Sequence, residues 1–174
     1  VWALAAPRAL DPRTGKTVQS ALKPLGRPAQ IRTFSGRGDG PEDLPRIAEF
    51  SLPPGTPEEA VATQYVMGGR IVEIWMEALL AADLISEGFT LITISYRGNP
   101  LNAAVYRDGL IGLAKADLEF TTHALHEQLK ARVGGRAVAA MGPAVVTEAS
   151  GGIPGVPFYM AQVLDVMGPR FEDP

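Results

Sequence analysis

A doubly wound α/β fold is the class this sequence predicts, and three stretches predict it. At 90–96 the run TLITISY is apolar and rich in β-branched residues, and Arg97-Gly98-Asn99-Pro100 stops it with turn chemistry. From Asp108 onward, Ile111, Ala114, Leu118, Leu125 and Leu129 recur at helical spacing until Gly134-Gly135 ends the pattern. The runs RAVAA at 136–140 and AVVT at 144–147 then return to short apolar segments. Strand, helix and strand in that order make a parallel pair with a crossover helix. A complete dinucleotide-binding fold also carries a glycine-rich turn after its first strand, and no such unit occurs here. The expectation is a partial Rossmann-like parallel sheet with flanking helices, lacking the N-terminal dinucleotide-binding half.

Residues 1–6 are apolar and ended by Pro7, which fits the end of a buried parallel strand, either at a cofactor site or simply in the core. Residues 7–57 are rich in Pro, Gly, Arg and Asp and read as loop with short extended pieces and a turn at 11–15. Within them, Gly36-Arg37-Gly38-Asp39-Gly40 is flanked by Phe34-Ser35 and Pro41, which carry no sequence signal of the preceding strand and following helix that a nucleotide loop needs, so it reads as surface loop. Thr56-Pro57-Glu58-Glu59 is a helix start with capping residue, Pro at the first position and acids in the first turn. That helix runs to about Val66. After Gly68-Gly69 a second helix takes Ile71, Ile74, Trp75, Ala78, Leu79 and Ala82 as its apolar face, with Trp75 in the core. The apolar run at 90–96 reads as a buried strand, and Asp108 is the expected N-cap of the long helix. Beyond it, 136–147 reads as one strand bent at Gly142-Pro143, then a glycine-rich loop at 148–155 and a helix over 157–167.

With 174 residues and 46% hydrophobic content the chain can bury a core as one domain, 1–174, with 7–57 as a loop-rich insertion and 90–160 as its centre. A net charge of −3 from 16 basic and 19 acidic residues argues against a nucleic-acid partner. No apolar run reaches bilayer length, so membrane insertion is not expected. The absence of cysteine removes disulfides and thiolate metal sites and suits a cytoplasmic protein, expected to be a monomer. His123 and His126 lack a third ligand and read as surface histidines. Ser150 lacks the Gly-x-Ser-x-Gly elbow, which argues against a hydrolase.

Tyr106 and Lys115 are the pair of chemical interest. Nine residues (115 − 106) are about 2.5 turns of an ideal helix, which puts the two side chains on opposite faces. They can serve one ligand only if Tyr106 lies at or before the helix start or if the first turns are distorted, and Asp108-Gly109 makes that feasible.

A tyrosine, eight residues and a lysine resemble the catalytic pair of the FabV-type enoyl-ACP reductases and the related trans-2-enoyl-CoA reductases. Four further blocks stand in the family's order: ALAAPRALDPRTGKTVQSALKPLG at 3–26, VMGGRIVEIWMEALLAADLISEG at 66–88, Tyr96 ten residues before Tyr106, and VVTEASGGIPGVPFY at 145–159. The resemblance implies an NADH-dependent reductase acting on an enoyl-ACP or enoyl-CoA, of which this chain is the catalytic middle region. It places Tyr106 and Lys115 as catalytic, and Tyr96 on the substrate carbonyl. Leu4 and Ala5 would lie at the adenosine end of NADH, Lys115 on the nicotinamide ribose, and Val145, Val146 and Thr147 at the nicotinamide.

Hydride delivery to C3 of a trans-2-enoyl thioester leaves enolate charge on the thioester oxygen and requires a proton at C2. A tyrosine hydroxyl can donate to that oxygen, and a nearby cation would suit its pKa of about 10 to neutral pH. This chain departs from the family pattern at Arg70-Ile71-Val72, where acids and a tryptophan are usual. It also departs at Ala116 for a second lysine, at Glu148 for glutamine, and at Gly151-Gly152 for Ser-Ala. The alternative is a non-catalytic remnant or acyl-thioester-binding module that keeps the fold.

Overall fold

The computed structural model describes residues 7–35, 46–98, 100, 102–142 and 151–171. Its centre is β5 (Thr90–Ser95) paired in parallel with β6 (Arg136–Met141), in register from Thr90↔Arg136 to Ser95↔Met141. The 24-residue α3 (Leu110–Val133) joins the two strands and packs on one face of the pair. Its C-terminus is closed by Gly134 in the left-handed conformation, with Lys130 and Arg132 in the last turn where the helix dipole favours cations. Ile111, Ala114, Leu118, Leu125 and Leu129 are all buried, as their spacing predicts.

α1 (Pro57–Met67) and α2 (Arg70–Ala81) flank α3. α1 opens with a complete capping box: Thr56 Oγ1 accepts from the Glu59 N–H at 3.2 Å, and Glu59 Oε2 accepts from the Thr56 N–H at 2.9 Å. Thr56→Ala removes one half of the box and is expected to lower stability by about 1 kcal/mol, seen as an earlier urea midpoint with an unchanged slope. The face of α2 differs from the expected one. Met76 is its buried residue, with Val72, Leu79 and Leu80 packed beside it, whereas Trp75 is 49% exposed and not in the core. These residues, with Ile85, Leu125, Leu129 and Ala137, form the core cluster below β5 and β6.

Residues 7–57 hold more structure than a loop-rich reading allows. β1 (Arg8–Leu10) pairs antiparallel with β2 (Thr17–Gln19) around the expected turn at 11–15. β3 (Ala29–Ser35) pairs antiparallel with β4 (Arg46–Leu52) over seven residues. Pairing between strands so far apart is stabilised by partners that local composition does not reveal. Ile31 of β3 is buried with Val105 and Ile111, and Leu22, Ala29, Leu52, Met67, Tyr106 and Ile153 pack against them. This second cluster lies under the start of α3, so the hairpin supports the candidate site directly. The final helix α4 (Val156–Met167) is close to the one expected and leads into a 3-10 turn at Gly168–Phe171. Phe158 of α4 meets Phe34 of β3 edge to face, ring centres 5.8 Å apart.

β5 is a buried strand on one face only. Thr93 and Ser95 are buried toward α3, and Ile92 and Ile94, on the other face, are about three-fifths exposed. The hydroxyl face is inside because α3 offers it partners: Thr93 Oγ1 and Thr122 Oγ1 share a hydrogen bond of 2.8 Å. The predicted bend at Gly142-Pro143 and the run 144–147 belong to 143–150, outside the described residues, as do 1–6 and the Gly36–Gly40 stretch. Among the described residues no helix is long and apolar enough to cross a membrane.

Candidate active site

Tyr106 lies before α3, the first of the two arrangements in which it and Lys115 can serve the same ligand. The turns at 102–108 place it there: the N–H groups of Val105 and Tyr106 donate to the Asn102 carbonyl, both at 3.1 Å, and that of Asp108 to Ala103 at 2.7 Å. The N-cap is Gly109, not Asp108. Asp108 is held by its backbone instead, since its carbonyl also accepts from the Leu25 N–H at 3.0 Å. Leu110, the first helical residue, donates its N–H to the Lys23 carbonyl at 2.9 Å, so residues 23–25 strap the helix start. Lys23 is itself anchored to α1 through Glu59, Nζ to Oε1 at 2.6 Å.

Tyr96 follows directly on β5, and its ring meets that of Tyr106 edge to face, centres 5.0 Å apart at 79°. Between them in sequence, Gly98 has φ +70°, and a Cβ there would lie 2.7 Å from both Tyr106 Cβ and Asn102 Oδ1. The two tyrosines can approach because position 98 has no side chain. Burial, and then the neighbouring Tyr96, push the Tyr106 hydroxyl above its ordinary pKa, so it remains a hydrogen-bond donor throughout the neutral range.

Lys115, on the second turn of α3, points to the strand: its Nζ donates to the Ile94 carbonyl at 3.2 Å. Burial pulls its pKa below the ordinary value, and the charge of Glu119 opposes that pull. No hydrogen bond joins Lys115 to Tyr106, and the influences on Tyr106 are burial and Tyr96. An ammonium has three donors, one of which is on Ile94, so two remain for ribose hydroxyls. That donor chemistry would suit the ribose hydroxyls of a nicotinamide nucleotide.

Glu119 was not singled out from the sequence, although its four-residue spacing from Lys115 puts both on one helix face. It accepts from Ser95 Oγ at 2.8 Å and from Arg97 Nη2 at 2.9 Å. Burial pushes its carboxyl up, but the hydrogen bonds from Arg97 and Ser95, with the charges of Arg97 and Lys115, outweigh this and hold it below the ordinary carboxylate range.

Leu4, Ala5, Val145, Val146, Thr147 and Glu148 fall outside the described residues. Gly151 and Gly152 are exposed. His123 is exposed as expected, but His126 is half-buried and structural, its Nδ1 lying 3.1 Å from the Ala137 carbonyl and 3.3 Å from the Ala137 nitrogen. Among the described residues no group of His, Cys, Asp and Glu is arranged to hold a metal ion. A cleft of about 260 Å³ between α1, α2 and α3 is lined by Tyr65, Arg70, Glu73 and Asp117, which lie apart from the tyrosine pair. Its charges are already engaged, Arg70 with Glu73 at 2.9 Å and Asp117 with the Gly69 N–H at 2.8 Å.

A parallel strand pair with its crossover helix and flanking helices makes this an α/β protein of the Rossmann-like type. The chain belongs to the family described as the trans-2-enoyl-CoA reductase catalytic region, which matches residues 1–172. An enoyl-[acyl-carrier-protein] reductase [NADH] of Streptomyces avermitilis is 44% identical over 174 residues, covering 100% of this chain and 43% of that protein. One from Marinomonas sp. is 40% identical over 167 residues, covering 96% of this chain and 40% of that protein. The crystal structure of Clostridium acetobutulicum trans-2-enoyl-CoA reductase in complex with NADH superposes with a TM-score of 0.81 at 37% identity, over 94% of this chain and 40% of that one. The Treponema denticola trans-2-enoyl-CoA reductase in complex with NAD gives 0.79 at 36%, over 94% and 39%. The chain thus spans about two fifths of the length of these relatives.

Proposed function

We propose that this chain, residues 1–174, is the catalytic region of an NADH-dependent reductase that saturates the trans-2 double bond of an enoyl thioester carried on ACP or CoA, in fatty acid synthesis. Its substrates would be soluble carrier thioesters, which puts the enzyme in the cytoplasm. The observation that carries the reading is the placement of Tyr106 ahead of α3, ring to ring with Tyr96, at the strand end to which Lys115 is anchored. That geometry presents a phenol and an ammonium at the carboxyl end of a parallel strand, where α/β proteins bind their ligands.

NADH, when bound, supplies the hydride. Tyr106 donates a hydrogen bond to the thioester oxygen, where negative charge grows as C3 takes up the hydride, and a preformed donor there lowers the barrier. Its hydroxyl is also the acid whose proton C2 finally takes up, by way of the enol, and solvent then reprotonates the phenolate. Tyr96 makes the second contact to the same carbonyl. Lys115 holds the ribose hydroxyls and contributes positive charge to a half-buried site, where charge acts more strongly than in water. Leu4, Ala5, Val145, Val146 and Thr147 would complete the cofactor site.

The test uses the protein expressed from the complete open reading frame that encodes this chain. NADH oxidation is followed with crotonyl-CoA and with crotonyl-ACP. Turnover with one carrier well above the other identifies the substrate class. Tight NADH binding without turnover on either carrier would instead support a remnant that keeps the fold.

A further inference from the structure

The end of β5 and the residue just past Tyr96 are tied to α3 at three points. Ile94 accepts from Lys115, Ser95 donates to Glu119, and Arg97 donates to the other oxygen of Glu119. Tyr96 is the one residue from 94 to 97 without such a tie, and it projects to Tyr106. Lys115 and Glu119 stand one helical turn apart, so a single stripe of α3 makes all three attachments. Ser95 is fully buried, and a buried hydroxyl without a partner is costly, so Glu119 also satisfies a group that has no water to turn to. The Arg97 side chain is 70% exposed and that of Glu119 only 25%. An ion pair with so exposed an arginine adds little stability by itself. What it adds is a second tie to the same carboxylate, so that the residues on both sides of Tyr96 are held by Glu119 through their side chains.

We infer that Glu119 is a positioning residue of the reductase, its carboxylate locking the end of β5 to α3 so that Tyr96 and the Lys115 ammonium are presented together. The inference rests on the proposed reductase function. Glu119 hydrogen-bonds to Ser95 and Arg97, not to either tyrosine, and acts through those two residues and the charge of Lys115. The groups around this end of the site are Lys115 and Glu119 from α3, Tyr96 and Arg97 after β5, and Tyr106 before α3. Of these, Glu119 is the charge that opposes the effect of burial on Lys115, and Arg97 is hydrogen-bonded to Glu119.

The experiment measures pH profiles of kcat and KM in the complete protein for wild type, Tyr106→Phe, Glu119→Gln, Glu119→Asp and Arg97→Gln. Glu119→Gln is expected to lower kcat/KM about tenfold to a hundredfold, because a misplacement of the order of an ångström at reacting groups costs that much. It should also move the basic limb, where Lys115 loses its proton, to lower pH: without the carboxylate, burial acts unopposed. Glu119→Asp restores the charge and returns that limb toward the wild-type position, even where its shorter reach leaves kcat low. Arg97→Gln, at an exposed position that folding tolerates, loosens the tie but keeps the carboxylate, and should reduce kcat/KM without moving the limb downward. A purely structural Glu119 would change the unfolding midpoint and leave the limb in place. A Glu119→Gln enzyme within about twofold of wild type and with an unmoved limb overturns the inference, provided Tyr106→Phe is crippled. If Glu119→Gln does not fold, unchanged kcat/KM in Arg97→Gln overturns it. An enzyme indifferent to Tyr106→Phe overturns the reductase reading, and this inference with it.

Discussion

Replacing Tyr106 by phenylalanine is expected to leave the protein folded and able to bind NADH while lowering kcat for enoyl-thioester reduction by about a hundredfold or more. The reason lies in how little of Tyr106 the fold itself uses. Its ring packs on the cluster of Ile31, Val105 and Ile111 and stands edge to face with Tyr96, and phenylalanine keeps both contacts. Only the hydroxyl is lost. If that hydroxyl is the donor to the thioester oxygen, the loss is confined to the transition state, so kcat and kcat/KM fall together and KM changes little. A hydroxyl that served packing alone would show the reverse, a small shift in unfolding midpoint and near-normal turnover. The pH profile adds a second check. Burial raises the Tyr106 pKa, so the wild-type phenol stays protonated across the neutral range and its own ionisation should not limit activity there.

Which parts of this arrangement could be read from the sequence follows from the range of the forces involved. α3 was legible because five buried apolar residues repeat at its period, and α1 because the capping box is a local code. The β3–β4 hairpin was not, since its seven-residue register joins segments whose intervening residues are rich in Gly and Pro, and Ile31 is buried by Val105 and Ile111, far along the chain. Asp108 has the right chemistry for an N-cap, yet its backbone is already bonded to Ala103 and Leu25, and that tertiary strap shifts the cap to Gly109. Trp75 fits the apolar stripe of α2 by spacing, but α3 and Ile85 meet the face centred on Met76. At the site, the spacing of Tyr106 and Lys115 carried the right condition, that the tyrosine precede the helix. The contact between the two tyrosines and the role of Glu119 depend on the turn at 97–98, whose geometry no spacing rule supplies.

That turn sets the second large effect, expected for Gly98→Ala. At φ +70° an alanine is strained, and its Cβ would press on Tyr106 Cβ and Asn102 Oδ1 at 2.7 Å. Relief requires Asn102 and Tyr106, in the 102–108 turns, to give way, and that motion separates Tyr106 from Tyr96. The left-handed strain alone is expected to cost about 1–3 kcal/mol of stability. Displacing Tyr106 should lower kcat/KM by about tenfold or more in addition. Gly88→Ala separates the two contributions: Gly88 has φ +72° and nothing within 4 Å of its would-be Cβ, so it carries the backbone strain without the collision. Both variants should unfold earlier in urea, and only Gly98→Ala should lose activity in its folded fraction. Equal activity in the two would mean that the approach of Tyr106 to Tyr96 is packing and that the chemistry tolerates their separation.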